Sequence, residues 1–250
     1  MSRVISPTKR LIGYIRATKN FSFNFLLAFP IFAMYTLGIF KVNENLWTFA
    51  NGADYFFAEI IHQISLNNHI MVSLNIFTIF VVCCYFVLRD YKQNKDKIKL
   101  QFFLKAIYQS TKYSLLLLAP AFTLFHFPFS AHTGTTSFQF EKLIYILTLS
   151  AGAGFYEELL FRVVIAGGLL KISLIYFPKQ ISYTFVGVYS SILFSAWHFP
   201  PSGTKVFGLM SFFALTFLGF VFYRIYQREG FGVAVWTHAL YDTFYYILLW

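Results

Sequence analysis

Six polar side chains stand within apolar sequence in the C-terminal half of the chain: Glu157, Glu158, Arg162, His198, His238 and Asp242. The run from Leu147 to Ile165 is long enough to cross a bilayer, yet it holds two adjacent carboxylates and a guanidinium. A charge at mid-membrane costs about 2.5–3.5 kcal/mol on insertion scales, against gains of about 0.3–0.6 for each Leu, Ile, Phe or Val. Spacing sorts these residues. Glu158 and Arg162 lie one helical turn apart and can form an intrahelical ion pair, which leaves Glu157 projecting about 100° away. His238 and Asp242 share a helix face by the same spacing, as do Phe194 and His198. Where three such helices enclose one cavity, the Glu157 carboxylate meets two imidazoles and a second carboxylic group. That set suits hydrolysis. The carboxylate takes a proton from a water that an imidazole orients, the water attacks a carbonyl, and donors on another helix hold the oxyanion. No serine or cysteine nucleophile is needed.

Other chemistries fit some of the same residues. Glu157, His198, His238 and Asp242 are all competent metal ligands, although the chain lacks HExxH, so a zinc-dependent membrane protease stays open as an alternative. A proton-coupled transporter would use Glu, His and Asp as a relay, but it predicts inverted repeats and midplane helix breaks, and neither is visible. The plainest alternative is a buried polar network that joins helices, and for Glu158 and Arg162 the ion pair alone suffices.

The elements that must position these groups are membrane-spanning helices. Of 250 residues, 58% are hydrophobic, 22% aromatic and 12% charged, and the mean hydropathy is +0.60. The fold class is all-α, a polytopic transmembrane bundle forming a single domain over 1–250, with about seven or eight spans. The candidates are Phe21 to Phe40, Ile70 to Leu88, Tyr113 to Phe129, Leu143 to Leu170, Ile181 to Phe199, Val206 to Tyr226 and Phe231 to Trp250. Net charge is +10, but alternate loops hold most of it, which points to a lipid bilayer rather than to nucleic acid as the partner. The basic segment 1–20 carries Arg3, Lys9, Arg10, Arg16 and Lys19, and by the positive-inside rule it is cytoplasmic, in the inner or plasma membrane of a cell. The first apolar run reads as a span rather than a signal peptide. Cys83 and Cys84, adjacent in the second span, read as packing residues, and Trp197 does too. In the loop after the first span, Phe56, Phe57, Ile60, Ile61 and Ile64 recur at helical spacing opposite Asp54, Glu59 and Gln63, which predicts an amphipathic helix on the membrane surface. Small residues from Ser150 to Gly154 allow a neighbouring helix to approach closely just before the glutamates.

The segments EELLFR (Glu157 to Arg162), FSAWH (Phe194 to His198) and HALYD (His238 to Asp242) resemble, in order, the motifs EExxxR, FxxxH and HxxxN/D of the CAAX prenyl protease and bacteriocin-processing superfamily, the Abi family of intramembrane glutamic endopeptidases. The resemblance covers 143–250, the catalytic-motif half. It implies a bacterial-type membrane hydrolase that uses no metal or other cofactor and cuts a membrane-associated peptide or protein, in CAAX-like or leader-peptide processing. It also implies Glu157 as general base, His198 as its partner on the water, His238 and Asp242 facing the oxyanion, and Glu158, Arg162 and Phe194 as support. Asp242 departs from the common Asn, so it either carries a proton or orients His238 instead. The resemblance extends equally to non-catalytic bacteriocin-immunity and scaffold proteins. One expectation conflicts with the rest: a simple path through the membrane sets His198 near the outer end of the fifth span, away from the depth of Glu157 and His238.

Overall fold

The computed structural model of the chain describes residues 7–42, 52–65, 80–81, 83–92, 98–124, 140–199 and 208–248, and the regular structure among them is helical throughout. α1 (Pro7–Thr18) and α2 (Phe21–Val42) are followed by α3 (Gly52–Ile64) and α4 (Leu100–Leu124). α5 (Phe140–Gly152) runs on through two π-helical stretches, Ala153–Glu157 and Leu159–Ala166, into α6 (Gly167–Tyr176). α7 (Lys179–Trp197), α8 (Leu209–Glu229) and α9 (Phe231–Leu248) follow.

Among the described residues, three stretches are both long and apolar enough to cross a membrane: Phe21–Ile39, Phe140–Tyr176 and Leu209–Glu229. The protein is a membrane protein. The seven-span expectation is therefore carried only in part by hydropathy, and the reason lies in polar groups that the bundle satisfies internally. On α7, the Ser195 hydroxyl donates to the Phe212 carbonyl of α8 at 2.7 Å, and the Tyr223 hydroxyl of α8 donates to the Tyr183 carbonyl at 3.1 Å. α4 begins at Leu100, well before the expected Tyr113, and carries Lys105, Ser110 and Lys112. Of the expected second span, residues 70–79 and 82 lie outside the described residues, as do 125–129 of the third. Cys83 and Cys84 are half-buried and unbridged.

The segment Phe140–Tyr176 spans 37 residues, about 55 Å at 1.5 Å per residue, well beyond a hydrocarbon core of about 30 Å. Glu157 falls near its middle. α7 ends at Trp197 with His198 as its C-cap, level with that middle rather than beyond it, so the expected mismatch in depth disappears.

α9 is the helix on which the others converge, packing against α2, α4, α5, α8 and the first π-helical stretch. Residues Gly232 to Val235 and Thr237 to Ala239 are buried. Hydrogen bonds fix α9 at several points: Trp236 Nε1 donates to the Leu27 carbonyl at 2.7 Å, and Ser110 Oγ to the Val233 carbonyl at 3.1 Å. Asn24 bonds three elements at once. Its amide nitrogen donates to the carbonyls of Thr18 and Asn20, and its Oδ1 accepts from Gly232 N–H, each at 2.8 Å. The turn into α9 requires Gly230, whose φ of +88° suits only glycine and whose α-carbon faces the Thr18 carbonyl too closely for a side chain.

The small residues before the glutamates do admit a close neighbour. A Cβ on Gly154 would lie 2.7 Å from Ala239 Cβ, 2.8 Å from Ala239 N and 2.9 Å from Val235 O, all on α9, while one on Gly152 would strike the Tyr35 ring. α3 forms as expected, with its apolar side chains on the outside of the bundle. Ala53 and Asp54 are buried, whereas Phe56, Ile60 and Ile64 are exposed. The Tyr35 hydroxyl donates to Asp54 Oδ2, which holds this one acid inward while Glu59 and Gln63 stay exposed.

Replacing Gly154 with Ala or Val, which pushes on α9 backbone, lowers stability by about 1–3 kcal/mol in thermal or denaturant unfolding in micelles, whereas Gly168→Ala, with nothing within 4 Å of the new methyl, does not. Burial raises the Asp54 carboxyl from 3.8 to about 6, outweighing the opposing Tyr35 hydrogen bond. Between those values the folded state binds more protons than the unfolded one, so stability falls as pH rises through that window. Unfolding measured across that window shows this slope in the parent protein, and Asp54→Asn flattens it.

Candidate active site

The site is built on the π-helical middle of the long segment. A π turn bonds residue i to i+5 and widens the helix, a device found mostly at functional positions. Here it allows two consecutive acids to reach one ring. Glu157 Oε2 lies 4.0 Å from His238 Nε2, while Glu158 Oε1 lies 2.9 Å from His238 Nδ1. Glu157 is expected to project away from its neighbour, unpaired by the arginine; in the structure it approaches His238 at Nε2, while Glu158 takes Nδ1 as a second contact beside Arg162. α9 approaches closely enough for both contacts because Gly154 lies against it.

Glu158 and Arg162 form the expected ion pair. Arg162 Nε donates to Oε2 at 3.0 Å and Nη2 to Oε1 at 3.3 Å, with both side chains fully buried. The guanidinium carbon lies 5.1 Å from the centre of the Phe194 ring, so that ring face meets the cation where no carboxylate does. Glu158 therefore carries two partners, and the line Arg162, Glu158, His238 is continuous.

His198 comes from the end of α7. Its Nδ1 is 2.8 Å from the Phe194 carbonyl one turn back, which leaves Nε2 pointing at Glu157 Oε2, 3.7 Å away. Asp242 Oδ2 lies 3.6 Å from His238 Nε2 across one turn of α9. Glu157, His198, His238 and Asp242 therefore converge, from three parts of the fold, around the Glu157 carboxylate and the Nε2 atoms of the two rings. Asp242 and Glu158 thus approach His238 at different nitrogens, and the Glu158 contact is the shorter. Among the described residues, no set of three His, Cys, Asp or Glu side chains has the arrangement of a metal cage.

Aromatic rings frame this centre. Phe222 of α8, fully buried, stacks on His238 with ring centres 4.5 Å apart and planes 15° from parallel. Phe194 meets His238 edge-on at 6.0 Å and His198 at 4.8 Å. Phe194 is thus packing, as expected, but packing against the site itself. Phe222 was not among the sequence candidates. One Phe among 34 on an apolar helix carries no signal, and only its placement over the imidazole distinguishes it. Trp197, expected in the core, is 40% exposed, with its edge toward Phe161 and Phe56 of α3. α3 thereby reaches the rim of the site: Phe57 lies 6.1 Å from Tyr156, next to Glu157, and Gly52 faces Trp197.

Comparison with known proteins covers the same half of the chain. Residues 137–244 match the family described as Type II CAAX prenyl endopeptidase Rce1-like. No curated protein and no solved structure matches the chain. The segment that holds all four converging side chains is therefore similar to the Rce1-like family, in agreement with the resemblance that its three motifs carry.

Proposed function

We propose that the chain is an intramembrane glutamic endopeptidase that hydrolyses a peptide bond of a membrane-associated substrate through a water activated by Glu157 and His198. The observation that carries this reading is the convergence of Glu157 Oε2 with His198 Nε2 at 3.7 Å and His238 Nε2 at 4.0 Å, inside a segment similar to a protease family. Glu157 takes a proton from water, and the oxygen adds to the scissile carbonyl carbon. His198, held through Nδ1 by the Phe194 carbonyl, orients that water with Nε2. Negative charge then develops on the carbonyl oxygen, and His238, acting as an imidazolium whose Nδ1–H is given to Glu158, donates to it through Nε2–H. Collapse breaks the carbon–nitrogen bond, and the proton on Glu157 passes to the leaving amine. The water's oxygen and one hydrogen remain on the new carboxyl group, so the atoms balance.

In this mechanism Glu158 and Arg162 act through His238. The ion pair neutralises itself within the bundle, and Glu158 accepts a second bond from the ring's Nδ1–H, which commits Nε2 to the reacting side. Asp242 supports Nε2 from the flank, in the place where Asn is common in the superfamily. The substrate classes consistent with this family reading are a CAAX-type protein tail and a leader peptide. The N-terminus faces the cytoplasm in the proposed orientation.

Glu157→Gln keeps shape and removes the base, and is expected to lower cleavage by about 10²–10⁴ without changing the unfolding temperature. The measurement is the appearance of new protein termini in membranes from cells carrying the parent or the variant; parent-level cleavage by the variant rules the mechanism out. Chelators leave the parent rate unchanged, and a loss restored by zinc would replace the mechanism with a metal-dependent one. Glu158→Gln instead leaves a buried guanidinium short of its charge partner and lowers stability by about 3–5 kcal/mol, read from the unfolding transition in micelles.

A further inference from the structure

At the other end of the bundle, α1 lies against α2, α4, α8 and α9 and is far too short, at 12 residues, to cross a bilayer. Its inner face buries Tyr14 and Ala17. Its outer face leaves Leu11, Ile12 and Ile15 at 49%, 45% and 44% exposure, an apolar strip with Arg16 and Lys19 exposed beside it. A short helix with that sidedness rests in the membrane interface. Where α1 gives way to α2 the surface is concave, and the cleft is lined by Ile15, Arg16, Lys19, Asn20 and Phe21.

The charges around this cleft favour an anion. The first 43 residues hold no acid. Lys105 of α4 lies over the Tyr14 ring at 4.4 Å, and Arg228 is exposed at the end of α8. Two carboxylates oppose them, and both are engaged. Asp90 accepts from the Asn20 amide, and Glu229 is buried between Tyr113, at 3.0 Å, and Arg228, at 3.3 Å. The Lys19 ammonium donates to the Gln227 carbonyl and has two further protons to give. Desolvation of the inner part of the side chain lowers the Lys19 pKa, and the nearby Glu229 carboxylate opposes that shift.

We propose that the cleft between the end of α1 and the start of α2 binds the headgroup of an anionic phospholipid, with Arg16 and Lys19 on the phosphate and Ile15 and Phe21 along the first part of the acyl chains. The pairing of two cations with two exposed apolar side chains in one cleft matches the two halves of such a lipid. This site is remote from the glutamates and stands whether or not the chain is a protease.

The test is native mass spectrometry of the full-length protein released from micelles and titrated with phosphatidylglycerol or phosphatidylcholine. Arg16→Gln with Lys19→Gln is expected to weaken phosphatidylglycerol binding at least about tenfold and to leave phosphatidylcholine binding unchanged. Lys171→Gln with Lys179→Gln removes the same charge from other exposed positions and is expected to have no such effect. Unchanged phosphatidylglycerol binding in the first pair overturns the proposal, and so does an equal loss in the second pair, which would indicate diffuse attraction. Displacement of the lipid by inorganic phosphate at equal concentration would make this a free-phosphate site and also overturns it. Should the first pair fail to fold, Arg16→Lys with Lys19→Arg decides: retained binding supports the site, and lost binding refutes it.

Discussion

The contact between Glu158 and His238 joins the long segment to α9, and both sides of the site depend on it. Arg162 holds one side of the carboxylate and the imidazole holds the other, so a single buried acid serves two donors on two helices. A buried ion pair adds little net stability when compared with apolar packing, because desolvating both partners offsets most of their attraction. Its consequence here is geometric. With Nδ1 held by Glu158 and the ring plane held by Phe222, the other nitrogen of His238 has one direction left, toward Glu157 and Asp242. The same acid that neutralises Arg162 therefore decides which ring atom faces Glu157.

That contact is possible only because backbones approach closely. Gly154 lies against Ala239 and Val235 at distances that exclude a methyl group, and the π-helical turns present Glu157 and Glu158 to the same ring. Within a membrane, where lipid competes with apolar side chains for packing, small residues and interhelical hydrogen bonds hold helices together. The bundle uses both. Asn24, Trp236 and Ser110 tie α9 to its neighbours through main-chain groups, and α7 bonds α8 through serine and tyrosine hydroxyls. The polar content that lowers the hydropathy of α4, α7 and α9 is in part the content that assembles them.

The site and the basic end of the bundle answer different demands. Around the glutamates, buried rings from α7 and α8 exclude water from an ion pair that water would weaken. Around α1, cations and apolar side chains are exposed together, an arrangement that costs least where lipid and water meet. α3 stands between these cases. It is amphipathic, but its buried acid is turned toward Tyr35 while its apolar side faces outward, and its aromatic residues reach the rim of the site.

Much of this was legible in the residues. Charges in an apolar run must be partnered, so Glu157, Glu158 and Arg162 stood out on energetic grounds, and the four-residue spacing identified the ion pair correctly. All-helical architecture follows from long apolar runs whose backbone groups lipid cannot satisfy. The second partner of Glu158 was not legible, because a periodicity of about 3.6 assumes an undistorted helix and the π turns break that assumption. Nor were Phe222, the inward turn of Asp54 or the level at which α7 ends. Local spacing determines which side chains share a helix face. Which faces then meet, and which of 34 phenylalanines lies on an imidazole, depends on how closely distant backbones can pack, and the tertiary structure alone decides it.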